Sequence, residues 1–415
     1  VTSYVLERAW VDGAVHDDVL VEIENGRFTT VLSRWNSSLA AHASAAKDEF
    51  HRLAGETPAR LPGLTIPGMV NNHSHAFHRA LRGRTQRDRG TFWTWREQMY
   101  AVAERLTPET YGALARTTFG EMVAAGYTNV TEFHYLHHRP DGTPYAPANA
   151  MRDALEQAAS DAGIRLTLLD TCYLSSGFGK PPEGVQVRYS DGTAAQWAER
   201  AGDGPAAIHS VRAVPRDQLH VFRGRALLHV HLSEQPREND ECVAAYGVTP
   251  TRLLHEEGLL GPTTTVVHAT HLSDDDIALL GESRTNICIT PTTERDLADG
   301  IGPAKRLYDA GCRLSIGSDS HAVIDPFEEL RGLEMNERLA TRERGHWSAA
   351  ELLDIGTMGG RIAVGEPADL VTIDTRSPRT ADTGADENTA VFAATGADVR
   401  QVVIGGALWE SPWPS

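Results

Sequence analysis

Residues 67–81 read PGMVNNHSHAFHRAL, and the pair His73 and His75 inside them decides how the rest of the chain is read. An apolar run broken by a Pro-Gly turn predicts a strand, and residues two apart in a strand point to one face. The two imidazoles therefore project side by side from the strand's end, an arrangement that grips a single metal ion. An isolated His-x-His is more often a pair of surface histidines, so the reading depends on polar residues recurring at later strand ends. They recur at three.

Working outward, residues from about 65 to 360 alternate short apolar runs with helical stretches such as PETYGALARTTFGEMVAAG (108–126), the pattern of parallel βα units. The candidate strands are LTIPGMV, YTNVTEFHYL, RLTLLDTCYL, AAIHSVRAV, ALLHVHLSE, TTVVHAT, TNICIT and RLSIGSDS. Eight in succession predict a closed α/β barrel, a distorted (β/α)8 TIM-type fold over 65–361. Before it, YVLERAWVDG and VLVEIENGRF are β-like, and after it GEPADLVTIDT and VRQVVIGGALWE are too. Neither end buries a core alone, so residues 1–64 and 362–415 are expected to share one small β-sandwich module. The link from barrel to module, TMGGRIAVGEPADL (357–370), is abrupt.

Bulk properties narrow the function. A chain of 415 residues fits a large barrel with a modest second module. A net charge of -17 argues against affinity for nucleic acid or anionic membrane, both of which call for basic patches. No apolar run approaches the roughly 18 residues of a membrane-spanning helix, and VTSYVLERAWVDG lacks the pattern of a secretion signal, so a cytoplasmic enzyme is expected. The four cysteines, Cys172, Cys242, Cys288 and Cys312, form no CxxC pair, which leaves nitrogen and oxygen ligands for any metal.

Those ligands stand at strand ends. HVHLSE places His229 and His231 on one face, with Glu234 three residues beyond the second. His231 lies nearer the carboxyl end, where barrel sites are built, so it is the ligand candidate and His229 a core histidine. Glu234 suits proton transfer beside a metal, with capping of the next helix as the alternative. In VHATHL, His268 continues the apolar run directly and His271 does not. In SIGSDSH, Asp319 ends a run of apolar and small residues, where an unpaired charge is expensive. Three histidines and an aspartate suit one Zn²⁺ with a position left for water. No lysine stands on AAIHSVRAV to bridge a second metal.

The motifs PGMVNNHSHAFHRAL, FWTWRE, EFHYLHH, HSVRAV, HVHLSEQ, VHATHL, PTTERDLADGIGP and GSDSHAVIDPFEEL span about 70 to 335 and resemble the amidohydrolase superfamily, and within it the formimidoylglutamate deiminase family. The resemblance implies one zinc per chain held by His73, His75, His231 and Asp319. It implies proton handling by Glu234, His268 and Asp319. Arg96, Tyr135, His209 and Arg212 match positions that hold a dicarboxylate substrate, which suits the planar fork of arginine. His78 stands where the family pattern has a glutamine, and as a hydrogen-bond donor it joins the substrate contacts. The implied reaction is zinc-dependent deimination of N-formimidoyl-L-glutamate to N-formyl-L-glutamate and ammonia in histidine degradation, by a homodimer. The alternatives are another one-zinc deaminase acting on a nucleobase, a guanidine or a different N-formimino amino acid, and a barrel that only binds.

Overall fold

The computed structural model describes residues 1–33, 58–86 and 89–411; residues 34–57 and 412–415, assigned from sequence to the terminal β module, lie outside them. Strand β1 (Thr2–Val11) pairs antiparallel with β2 (Ala14–Glu24), and β2 with β3 (Arg27–Ser33). Both hairpins turn on two residues with positive φ, Asp12-Gly13 and Asn25-Gly26, the dipeptides that a two-residue turn between twisted strands selects. Strand β4 (Ala59–Pro67) runs parallel to β1.

The expected first barrel strand, LTIPGMV, is divided at Gly68. Leu64–Pro67 belong to β4, and β5 (Met69–Ser74) begins the barrel. The crossing needs glycine, because a Cβ at residue 68 would lie 2.3 Å from Thr128 Oγ1, while the Gly68 N–H donates to the Asp369 carbonyl at 2.9 Å. The barrel continues with β6 (Tyr127–His134), β7 (Arg165–Cys172), β8 (Ala206–Ile208), β9 (Leu228–Leu232), β10 (Thr264–His268), β11 (Asn286–Ile289) and β12 (Arg313–Ile316), each parallel to its sequence neighbour. Past β12, Asp319 N–H donates to the His73 carbonyl at 3.0 Å and His75 N–H to the Asp319 carbonyl at 3.3 Å, which joins the last strand to the first.

Helices cover the outside. The helix Pro108–Ala125 shows how sequence places one: Thr107 and Thr110 cap each other reciprocally, proline opens the first turn, and Gly126 ends it at φ 109°. Its buried face, with Tyr111, Phe119, Met122 and Val123, joins the main core. At the link 357–370 the helix Ala349–Thr357 ends with Met358 left-handed, and its N–H closes on the last turn.

Strands β13 (Leu370–Ile373), β14 (Val399–Ile404) and β15 (Ala407–Leu408) complete a seven-stranded mixed sheet in the order β15-β14-β13-β4-β1-β2-β3, so the two ends of the chain share one sheet. The sheet folds back on itself: Phe28 N–H donates to the Glu366 carbonyl at 3.1 Å and Ala368 N–H to the Gly26 carbonyl at 2.9 Å. Leu6, Val21, Phe28, Leu370 and Val403 pack into its own small core. Among the described residues no helix is long and apolar enough to cross a membrane, and all four cysteines are free and buried.

Candidate metal centre and active site

Four side chains from three strand ends converge. His73 and His75 come from β5, His231 from β9 and Asp319 from the loop after β12, all buried, with their ligand atoms within 4.8 Å of one another. His231 Nε2 lies 3.1 Å from His73 Nε2 and 3.3 Å from His75 Nε2. Asp319 Oδ1 is 3.2 Å from His73 Nε2 and 3.4 Å from His75 Nε2. A tetrahedron with metal–ligand distances of about 2.05 Å has edges of about 3.3 Å, so these residues fit one Zn²⁺ as they stand.

Their protonation supports the fit. His75 Nδ1 donates to the Phe133 carbonyl at 2.9 Å and His231 Nδ1 to the His209 carbonyl at 2.8 Å. Each ring proton is thereby placed on the outer nitrogen, and the inner Nε2 keeps a lone pair. Burial also lowers these histidines, His75 to about 3, so they stay neutral. Burial alone raises the Asp319 carboxyl, but the rings of His73, His268 and His75 outweigh it and hold it well below the usual carboxylate range. The result is a set of three neutral nitrogens and one anion.

The stretch is pinned from behind. Ser74 points away from its neighbouring histidines, donating to Glu132 Oε2 at 2.5 Å, and the Ala76 N–H donates to Glu132 Oε1 at 2.6 Å. Burial pushes the Glu132 carboxyl up to about 8 against those two bonds. Asp319 at φ 39°, His268 at 72°, Ala269 at 52° and Ser233 at 50° sit in left-handed backbone next to the ligands. Such conformations cost of order 1 kcal/mol each and cluster where a site aims its side chains.

His268 ends β10 beside the metal set, its Nε2 3.9 Å from Asp319 Oδ2 and 3.8 Å from Glu234 Oε1. Its Nδ1 lies 3.2 Å from Thr290 Oγ1 and 3.7 Å from Glu294 Oε1. Burial opposes a charge on this ring, yet the carboxylates of Glu234, Glu294 and Asp319 prevail and push it up to about 10. Burial raises Glu234 above the ordinary carboxylate range. Glu234 does not cap the next helix, which starts at Pro236 with Gln235 at its cap. His229 faces the core, lowered to about 3 by burial and by His73. His271 turns outward, donating to the Asp299 carbonyl at 2.8 Å.

The residues expected to contact substrate line the same cavity. His78, Arg96, Tyr135, His209 and Arg212 wall it, with His75, His231, Glu234, His268 and Asp319 at its base. His78 Nε2 lies 3.0 Å from the Tyr135 hydroxyl, and burial keeps the ring neutral. Arg96, on the helix Phe92–Arg105, bonds the Tyr100 hydroxyl at 2.6 Å and lies over the Trp93 and Tyr100 rings. Arg212 reaches Glu238 Oε2 at 3.3 Å. The cavity opens into an outer one of about 390 Å³, where Arg96 and Arg212 are joined by Lys180 and Arg237.

Sequence reading passed over several residues that the fold brings here: Glu132 behind the ligands, Glu294 and Thr290 behind His268, and Tyr173 and Tyr189 in the cavity wall. Thr290 ends the predicted strand TNICIT, and Glu132 is a charged residue inside the apolar strand YTNVTEFHYL, whereas Glu294 lies in the helix Pro291–Asp296 with no local mark. A charge within an apolar strand, as at Glu132, is the same kind of signal that marked Asp319.

Comparison with known proteins agrees with this geometry. Residues 64–408 match the amidohydrolase family. The chain is 37% identical over 383 residues to formimidoylglutamate deiminase of Pseudomonas aeruginosa, covering 84% of each. It is 28% identical over 368 residues to a 5-methylthioadenosine/S-adenosylhomocysteine deaminase of Haloarcula marismortui, covering 83% of this chain and 81% of that one. The crystal structure of an amidohydrolase from Brucella melitensis superimposes with a TM-score of 0.86 at 30% identity, over 98% of this chain and 94% of that one. The chain belongs to the amidohydrolase family, a hydrolase acting on carbon–nitrogen bonds.

Proposed function

We propose that this enzyme hydrolyses N-formimidoyl-L-glutamate to N-formyl-L-glutamate and ammonia, a step of histidine degradation, using one Zn²⁺ held by His73, His75, His231 and Asp319. One observation carries the reading: a metal-fitting quartet and two guanidinium groups, Arg96 and Arg212, open on one cavity. A substrate with two carboxylates and a hydrolysable C=N bond matches both ends of it. The similarity to formimidoylglutamate deiminase supports the same choice.

When bound there, Zn²⁺ lowers the pKa of a coordinated water to about 7 and so supplies a nucleophile at neutral pH. The chain's own groups do the rest. Arg96 and Tyr135 hold one carboxylate of the substrate, His209 and Arg212 the other, and His78 fixes the Tyr135 hydroxyl. Asp319 accepts the proton that leaves the attacking water, and His268 steers it. Glu234, its proton retained by burial, delivers that proton to the imino nitrogen. The amine so formed takes a second proton, the one held by Asp319, and leaves as ammonia. The hydroxyl proton on the tetrahedral carbon passes to Glu234 as its oxygen becomes the formyl carbonyl, so one water is consumed, one ammonia is released and both carboxyl groups return to their starting states. A cytoplasmic homodimer completes the proposal, and sedimentation of the purified chain checks the dimer.

The test is ammonia release across N-formimidoyl-L-glutamate, its aspartate analogue, 5-methylthioadenosine and a guanidino acid, each with and without chelator. The glutamate compound is expected to be fastest, with activity lost to chelator and restored by zinc. Preference for an uncharged nucleoside would overturn the arginine assignments. A protein that takes up no zinc and releases no ammonia would be a binding barrel instead.

A further inference from the structure

Asp299, just past the helix Pro291–Asp296, is a buried carboxyl that the mechanism above leaves unused. Its main chain is clamped: the N–H donates to the Glu294 carbonyl at 2.9 Å, and its own carbonyl accepts from the His271 ring at 2.8 Å. Its Oδ1 accepts from the Gln235 side-chain amide, whereas Oδ2, shut off from solvent, has no hydrogen-bond partner. One oxygen of Asp299, one of Glu234 and a ring nitrogen of His268 lie within 4.8 Å of one another.

A carboxylate oxygen buried without a donor is strongly disfavoured. A protonated carboxyl in the same place is itself a donor and needs only an acceptor. The charged groups that face Asp299 are Glu234 after β9, His268 at the end of β10, Glu294 on its own segment and Asp319 after β12. Burial raises the Asp299 carboxyl first, and the three carboxylates add to it against His268, so its neutral form is favoured. Glu234 is the acceptor within reach.

We propose that Asp299 is a positioning residue: as a neutral acid anchored by Gln235, it turns its carboxyl proton towards Glu234. It thereby aims Glu234 at the substrate and stabilises the carboxylate that Glu234 becomes on giving up its proton. The donor rests on the buried, unpartnered Oδ2 and the carboxylates around it; the direction in which Glu234 is aimed rests on the hydrolytic reading above.

The experiment compares wild type with Asp299→Ala and Asp299→Asn, with thermal midpoint and zinc content recorded for each. Removing the donor in Asp299→Ala is expected to lower kcat about 10- to 100-fold with KM within about three-fold, as loss of one aligned group in proton transfer does. Asparagine keeps a neutral donor at the same site, so Asp299→Asn is expected to recover at least about ten-fold of that loss. In a wild-type-minus-variant infrared difference spectrum at pH 7, one protonated-carboxyl C=O component is expected to be missing from Asp299→Asn, while those of the other buried acids, Glu132 among them, stay. This readout needs no substrate and survives a poorly folded alanine variant. Kinetics are run on whichever substrate of the panel the wild type turns over, so failure of the deimination reading shows in the wild type alone. Asp299→Asn falling as far as Asp299→Ala, or Asp299→Ala keeping full kcat, would overturn the proposal. So would a second bound divalent metal that Asp299→Asn loses, since the trio would then be a cation site.

Discussion

Single residues at this site act through the partners that hold them. In the proposed mechanism Glu234 exchanges a proton with the substrate, so Glu234→Gln, of equal shape, is expected to lower kcat by about 10² to 10⁴ while KM changes little. Ammonia release at saturating and limiting substrate separates the two, and full turnover in the variant would remove Glu234 from the mechanism. Arg212 pairs with the buried Glu238 and, in the proposed function, also binds a substrate carboxylate. Arg212→Ala is therefore expected to reduce kcat/KM by roughly 10- to 100-fold, the worth of a charge-assisted hydrogen bond, and also to destabilise the fold by about 1–3 kcal/mol through the unpaired carboxylate. Kinetics and a urea melt measure the two costs independently. At this scale His73, His75, His231 and Asp319 were readable as candidate ligands, because histidines two residues apart on a strand and a charge ending an apolar run announce themselves locally. The carbonyls of Phe133 and His209 that set the ring tautomers belong to other strands and carry no sequence mark.

The seam between β5 and β12 is the element on which the metal centre depends. A Cβ on Gly317 would lie 2.7 Å from the His73 carbonyl oxygen and 2.9 Å from its nitrogen, so any side chain there pushes the last strand off the first. Gly317→Ala is expected to weaken zinc binding at least about ten-fold, because ligand positions tolerate only a few tenths of an ångström. Competition against a fluorescent chelator measures it, and unchanged affinity would show that the seam can relax. Helices and hairpins were legible from their ends: Thr107, Pro108 and Gly126 delimit one helix, and Asp12-Gly13 and Asn25-Gly26 mark two turns. The division of LTIPGMV at Gly68 was not legible. A continuous apolar run reads as one strand, and only pairing partners from distant segments show that it serves two sheets.

For the molecule as a whole, buried neutral histidines set the response to acid. His229 is lowered to about 3 and His137 to about 4 by burial, while the unfolded chain binds protons near pH 6.5. Between those values the unfolded state takes up protons that the folded state refuses, so stability is full above about pH 6.5 and is lost as pH falls towards 4. Each ring contributes about 2 kcal/mol of that loss between pH 6.5 and 5. Thermal melts across this range check it, and a flat profile would contradict the burial of neutral rings. Zinc at the quartet adds stability in the same sense, since it too requires neutral histidines, and a chelator is expected to lower the melting temperature by several degrees. The sequence by itself determined the alternation of strands and helices and marked the candidate ligands, because strand periodicity, turn dipeptides and helix caps are written within a few residues; the sheet shared by the two ends was set by the fold. Only the tertiary structure decided that Glu294 and Asp299 stand beside Glu234 and His268 and that the cavity tyrosines line the same pocket. Closing the barrel brings together loop residues dozens of positions apart, and no local pattern records a meeting that exists only once the last strand joins the first.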